Sequence, residues 1–409
     1  MQLKRVVITG MGAVSPYGAG TELLWQGLSS GRSAVGPLEG AENIVGLTTR
    51  VAGVVPPLDM RQIPRKDRRS MSRMSQFAWL AAHEAFAQAN IDSALLTGGR
   101  LGISVGSTVG SVDAIEEFFE EYLRERSLEQ VRSTTFFKVM GHTVASNLAQ
   151  ALGITGRVLA PAAACSTGTQ AVGLGWENVA WGRQDVMLCG GADEFSALTA
   201  ATFDIMNAAS NGANHRPEAA SRPFDTERDG IVCAEGAGLI VLESLDHALR
   251  RGAPILAEVI GFASNVSPAN IVNPDADSIQ ACMRLALDDA GFDAGDIDYV
   301  NAHATGTVLG DIAEARAIEA LFGSRPPVSS LKGHMGHTMA ASGALELIAS
   351  MCMMREGTVL PTLNLHTPDP ACGDLNLPGI AQSQKITTVI KNSFALGGVN
   401  SVLVIRSYV

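Results

Sequence analysis

The chain has 409 residues, 46% of them hydrophobic and only 17% charged, with 43 glycines; that composition supports a large layered core and excludes intrinsic disorder. The formal net charge of −11 argues against duplex DNA or RNA as a partner. No run approaches the ~20 unbroken apolar residues of a membrane span, and the six scattered cysteines, with no CxxC pair, fit a reducing cytoplasm and not a disulfide framework.

The chain opens on Lys4, Arg5 and a short apolar run that Gly10, Gly12 and Pro16 cut off, so residues 6–9 read as a buried first strand and not as a leader. Helices are expected over 21–28 and 75–89, then a strand over 101–105 and a helix over 166–181. Strands follow at 186–188, 239–242 and 255–262. Helix 278–290, strand 300–302, helices 312–321 and 343–354, and strands 389–390 and 402–405 complete the series. Val/Ile-rich runs alternating with helical patterns imply an α/β fold with parallel strands and crossover helices. A strand ending in glycine (Gly10, Gly261) opens each of two parts, and an apolar hairpin (236–242, 397–405) closes each. The chain therefore reads as two duplicated halves, 1–252 and 253–409, that share one core.

One cysteine has an unusual setting. Cys165 follows Ala162-Ala163-Ala164 and precedes Ser166-Thr167-Gly168, where a strand turns into a helix. Free amides and the positive end of a helix dipole stabilise a thiolate there, and the same amides suit an oxyanion. A free cysteine is more often a packing residue, a role that fits the other five.

Two histidine segments lie downstream. His303, in Asn301-Ala302-His303-Ala304-Thr305-Gly306-Thr307, follows an apolar strand, where α/β proteins place chemistry. His337, in Lys332-Gly333-His334-Met335-Gly336-His337, enters a helix that carries Glu346. His334 and His337 have the spacing of a metal pair, but no nearby Cys or carboxylate completes a ligand set. Asp311 and Glu314 read as acids that complement a helix N-terminus.

Together these segments resemble the β-ketoacyl-acyl carrier protein synthases of the thiolase superfamily, the elongating type II enzymes above all. Residues 7–17, 221–238 and 391–400 extend the resemblance over nearly the whole chain. It implies a thiolase-like five-layered αβαβα fold, a homodimer (or a heterodimer with a related ketosynthase subunit) and no metal or redox cofactor. It also implies that Cys165 takes an acyl chain from acyl carrier protein, with backbone amides of Cys165 and Leu396 as the oxyanion hole. His303 and His337 would promote malonyl decarboxylation and stabilise the enolate. Lys332, paired with Glu346, would hold the site electrostatically, with Phe394 in support. Thr305 and Thr307 would meet the pantetheine arm, and Val109 and Phe203 would line the acyl pocket.

The chain departs from the family at the terminal loop, where Ala395-Leu396-Gly397-Gly398-Val399-Asn400 puts leucine in the place of a gating phenylalanine. His334 adds an imidazole close to the site, and Val308-Leu309-Gly310-Asp311 is also atypical. These departures suggest a specialised relative that serves a polyene or other secondary pathway. A basic stretch with Arg65, Lys66, Arg68 and Arg69 would steer an acidic carrier protein. The competing readings are a silent chain-length-factor-like subunit, which typically lacks the cysteine, a thiolase, which uses a second late cysteine, and a malonyl decarboxylase that never condenses.

Overall fold

The computed structural model describes residues 3–41, 44–129, 131–268 and 274–408. In chain order the first part contributes β1 (Val6–Ser15), α1 (Arg73–Gln88), β2 (Leu101–Gly106), α2 (Thr143–Leu152), β3 (Val158–Leu159), α3 (Thr167–Ala180), β4 (Val186–Asp193) and β5 (Gly236–Ser244). The second contributes β6 (Ala257–Val266), α4 (Ala276–Ala290), β7 (Tyr299–Asn301), α5 (Val308–Phe322), β8 (Val328–Ser329), α6 (Ser342–Glu356), β9 (Thr388–Phe394) and β10 (Val399–Arg406).

The strands join through one antiparallel seam, β1 against β6, with Val6 opposite Val259. Outward from it the order is β1-β5-β4-β2-β3 on one side and β6-β10-β9-β7-β8 on the other. The two series also match in sense. Two antiparallel pairings come first and two parallel ones follow.

Side-chain alternation turns these strands into layers. Met187, Cys189, Ile240 and Leu242 face a central core with α3 and α6, while Val186, Leu188, Leu239 and Val241 face α1 and α2. Across the seam, Val389, Leu403 and Ile405 join the central core, and Ile390, Val402 and Val404 pack against α4 and α5. The result is αβαβα, with α3 and α6 as the middle layer. Strands buried on both faces read as unbroken apolar runs, which is why they stand out in the sequence. Gly10 and Gly12 let α1 lie directly on β1, because a Cβ at either position would strike the carbonyl of Ala85 or Ala81.

Three details differ from the expectation. Residues 236–242 are no hairpin arm, because β5 pairs with β4 through the long excursion 194–235, part of which walls the site. A true hairpin joins β9 and β10. Helices Val112–Glu125, Ser133–Val139 and Ala197–Ile205 add to those expected.

Candidate active site

Cys165 sits in a short 3-10 turn, Ala164–Ser166, that runs straight into α3. Ala164 takes φ 46 there, a strained value for a residue with a Cβ. The Thr167 hydroxyl holds the turn by accepting the Ala163 N–H at 2.8 Å. Ser166 Oγ donates to the carbonyls of Ser393 and Val399 at 3.0 and 2.9 Å, which locks the turn to the β9–β10 hairpin. The backbone N–H groups of Leu396 and Cys165 itself reach the sulfur. Burial works against the thiolate expected from the helix start. It pushes the thiol up to about 11, against the pull of Lys332 and those two amides, because only 5% of the residue is exposed.

His303 follows β7. Glu314 on α5 holds its loop by accepting the N–H groups of His303 and Ala304 at 2.8 and 2.7 Å, and the Asn392 amide at 3.0 Å. Glu314 is buried, so its expected role as a helix-end acid is replaced by that of a loop anchor. Asp311 does similar work, accepting from Gly306 and Phe224 at 3.1 and 2.8 Å. His337 is clamped in an extended bridge, its N–H on Val232 O at 2.8 Å and its carbonyl under Ala234 N–H at 2.9 Å. The two rings meet edge to face at 5.3 Å.

The Cys165 sulfur and one nitrogen from each ring all lie within 4.8 Å of one another. Nδ1 of His303 and both nitrogens of His337 have no hydrogen-bond partner among the described residues. Burial drives both imidazoles well below the ordinary histidine range, with Lys332 and Lys391 adding to it and His337 acting on His303 as well. They are neutral donors at any physiological pH.

Beneath the histidines lies an ion cluster. Glu346 takes Lys332 Nζ at 2.5 Å on one oxygen and Lys391 Nζ at 2.7 Å on the other, all three side chains at most 1% exposed. The Ser342 hydroxyl adds a third donor at 3.0 Å. The sequence pointed to Lys332 and Glu346 but not to Lys391. Its signal was a lysine inside Thr388–Phe394, a strand with every residue buried. Three groups that could ligate a soft cation converge above this cluster, but its surplus positive charge opposes a cation there.

A cavity of about 350 Å³ opens onto Cys165 and His303, lined by Thr305, Thr307, Phe394 and Leu396 among others. Phe203 packs one layer back, in an apolar cluster with Ile231, Cys233 and Met339 that touches Leu396. Val109 does not reach the cavity and is 56% exposed. Its neighbours explain the outward turn, since Thr108 N–H binds Asp193 at 3.1 Å and Ser111 caps the next helix. His334 is fully buried but belongs to neither the cysteine–histidine cluster nor the cavity. Arg65, Lys66 and Arg69 are exposed, while Arg68 donates to Met60 O at 2.9 Å. None of the four lines the cavity.

A buried thiol under two amides, faced by two neutral imidazoles in a five-layered α/β frame, defines a thiolase-like enzyme of carbon–carbon condensation. Residues 3–248 match the family model described as "Beta-ketoacyl synthase, N-terminal domain", and residues 256–366 match "Beta-ketoacyl synthase, C-terminal domain". The chain belongs to the β-ketoacyl synthase family, condensing enzymes of the acyltransferase type.

Nodulation protein E of Rhizobium meliloti (strain 1021) is 38% identical over 98% of this chain and 99% of its own. The 3-oxoacyl-[acyl-carrier-protein] synthase 1 of Escherichia coli (strain K12) is 35% identical over 99% of each. Among solved structures, a β-ketoacyl synthase from Burkholderia phymatum STM815 superposes with a TM-score of 0.96 at 41% identity, covering 99% of this chain and 100% of that one. A type II polyketide ketosynthase in complex with its acyl carrier protein, AntDE:AntF, gives 0.92 at 31% identity, with full coverage of both chains. Among the described residues no helix is long and apolar enough to cross a membrane.

Proposed function

We propose that Cys165 carries the growing acyl chain while His303 and His337 manage a malonyl unit. The convergence of one thiol and two neutral imidazoles within 4.8 Å carries this reading. Cys165 sulfur attacks the acyl thioester of a carrier protein, the carrier sulfur leaves with the thiol proton, and the Leu396 and Cys165 amides hold the oxyanion between. Malonyl carrier then enters past Thr305 and Thr307. Its carbon–carboxylate bond breaks, carbon dioxide departs, and the electron pair becomes an enolate whose oxygen the two imidazoles hydrogen-bond. The enolate carbon attacks the Cys165 thioester, and the sulfur leaves and regains a proton.

Lys332 and Glu346 hold the floor of the site in this scheme. Phe394, 6.1 Å from the His303 ring, backs the imidazole. Leu396 lines the cavity beside Ile231 and packs on the Phe203 cluster, and it makes the gate to an acyl pocket. A leucine in the gating position favours a specialised polyene or related chain over bulk saturated fatty acid. The chain divides at Gly252, the thiol on one side and both histidines on the other.

Acyl carrier protein is the partner, met by Arg65, Lys66, Arg68 and Arg69, and six free cysteines suit a reducing cytoplasm. The sheet ends at β8, which is buried, and at β3, where Val158 is 48% exposed. An unpaired edge of that kind suits pairing with a second copy or a related subunit.

Incubation with acyl and malonyl carrier proteins, read by mass spectrometry, tests the reading. Expected are an acyl adduct on Cys165 and a product two carbons longer. A decarboxylated carrier without product would leave a decarboxylase only, and no adduct at all would overturn the proposal.

A further inference from the structure

Lys391 is the buried charge that this chemistry leaves without a task. We propose that Lys391 is a positioning residue for the reaction: by sharing Glu346 with Lys332 it gives the floor of the site a surplus positive charge, and by bonding to its own strand it braces the Cys165 turn. The inference rests on the reading of His303 and His337 as neutral donors to a malonyl-derived enolate.

The first half of the argument is a charge count. One buried lysine and one buried glutamate would cancel, and a cancelled pair projects little field. Within the trio, Lys332 and Lys391 outnumber Glu346 by one buried charge, and Glu314, the further carboxylate that faces both lysines, offsets part of the surplus. The remaining surplus opposes protonation of both imidazoles and favours the anions that form above it, the enolate and the departing Cys165 thiolate.

The second half is mechanical. Lys391 Nζ donates to Asn392 O and, at 3.0 Å, to Ser393 Oγ. Ser393 Oγ pairs with Thr169 Oγ1 on α3 at 2.7 Å, and Ser393 O accepts the Ser166 hydroxyl. The ammonium thus ties Glu346 on α6 to the strand that leads into Phe394 and Leu396, and that strand to the nucleophile's turn. The charged and titratable groups that face Lys391 are Glu346, Lys332, Glu314, His303 and His337. Burial brings its ammonium down to about 8, against the pull of Glu346, so its charge fades in mildly alkaline solution.

The test compares wild type, K391M, E346Q and K391M/E346Q by malonyl decarboxylation rate against pH, by Cys165 acylation and by thermal melting. K391M should lose at least about tenfold in decarboxylation. Its acid limb should move up by about one pH unit, and the alkaline limb near pH 8 should vanish, while Cys165 acylates more slowly than in wild type as its turn loosens. K391M/E346Q restores the net charge of the cluster and should return the acid limb toward that of wild type. A folded K391M with wild-type rate and unmoved limbs overturns the proposal and leaves the functional reading standing. Wild type that neither acylates nor decarboxylates overturns both. If K391M fails to fold, E346Q against K391M/E346Q carries the same comparison: the limb of the double variant should lie about one unit higher, and equal limbs overturn it.

Discussion

Glu314 holds His303 by its backbone: the carboxylate accepts the His303 N–H at 2.8 Å and the adjacent Ala304 N–H at 2.7 Å. The imidazole is left free for substrate because its loop, not its ring, is fastened. Glu314→Ala strands three buried donors, those two and the Asn392 amide, and should cost about 3 kcal/mol or more in stability. Decarboxylation should fall by about 10²-fold through misplacement of the ring. Acylation of Cys165, whose turn is held by Thr167 and Ser166 and not by Glu314, should survive. Urea melts and the two partial reactions separate these effects, and equal loss of both reactions would mean that Glu314 supports the whole site.

Burial pushes the Cys165 thiol up to about 11, a value that would leave about one molecule in a thousand as thiolate at pH 8. Alkylation by iodoacetamide should be slow at neutral pH and rise about tenfold per pH unit. Mass spectrometry of the modified peptide against pH gives the curve. A plateau below pH 8 would show that the amides and Lys332 outweigh burial after all.

Among the described residues neither ring nitrogen of His334 has a partner, the side chain has no exposure, and burial lowers it to about 4. Its unfolded value is about 6.5. Between the two the unfolded chain binds more protons, so stability rises with pH across that window and is lost as pH falls. His334→Leu should therefore stabilise the protein by about 1–3 kcal/mol at neutral pH. The advantage should grow by a further amount on the order of 3 kcal/mol by pH 4. Chemical denaturation at pH 7, 5.5 and 4 measures it, and a variant that tracks wild type at all three would place a hidden partner on the ring.

Arg65, Lys66 and Arg69 are exposed and have no acidic partner among the described residues. Reversal of all three to Glu should raise KM for the carrier by about tenfold at low salt through lost steering and leave kcat alone. The difference should shrink as salt rises. Unchanged KM at low ionic strength would remove this stretch from the docking surface.

Much of this architecture was legible because buried-on-both-sides strands are continuous apolar runs. The runs understated the strands. Residues 186–188 seed β4, which continues through Gly190 and Gly191 to Asp193, since a side chain at Gly190 would strike the backbone of β5 and one at Gly191 the carbonyl of Ala340. Cys165, His303 and His337 showed themselves through turns of small residues, whose Gly168, Gly306 and Gly336 lie close against neighbouring backbone. Glu314 and Lys391 did not, because their partners are 11 and 45 residues away in sequence, His303 and Glu346. A buried charge declares its purpose only when its counter-charge is located. Val109, named only through the family resemblance, is exposed on a loop apart from the cavity beside Cys165.

The seam between β1 and β6 also governs how the molecule comes apart. Ladder bonds cross it, and the middle layer of α3 and α6 packs on strands from both sides, so the two parts share the inner core even though each keeps an outer one against its own helices. The protein should melt in one transition. An acyl group on Cys165 should slow hydrogen exchange in β4 and β9 alike, on strands that the chain visits some 200 residues apart.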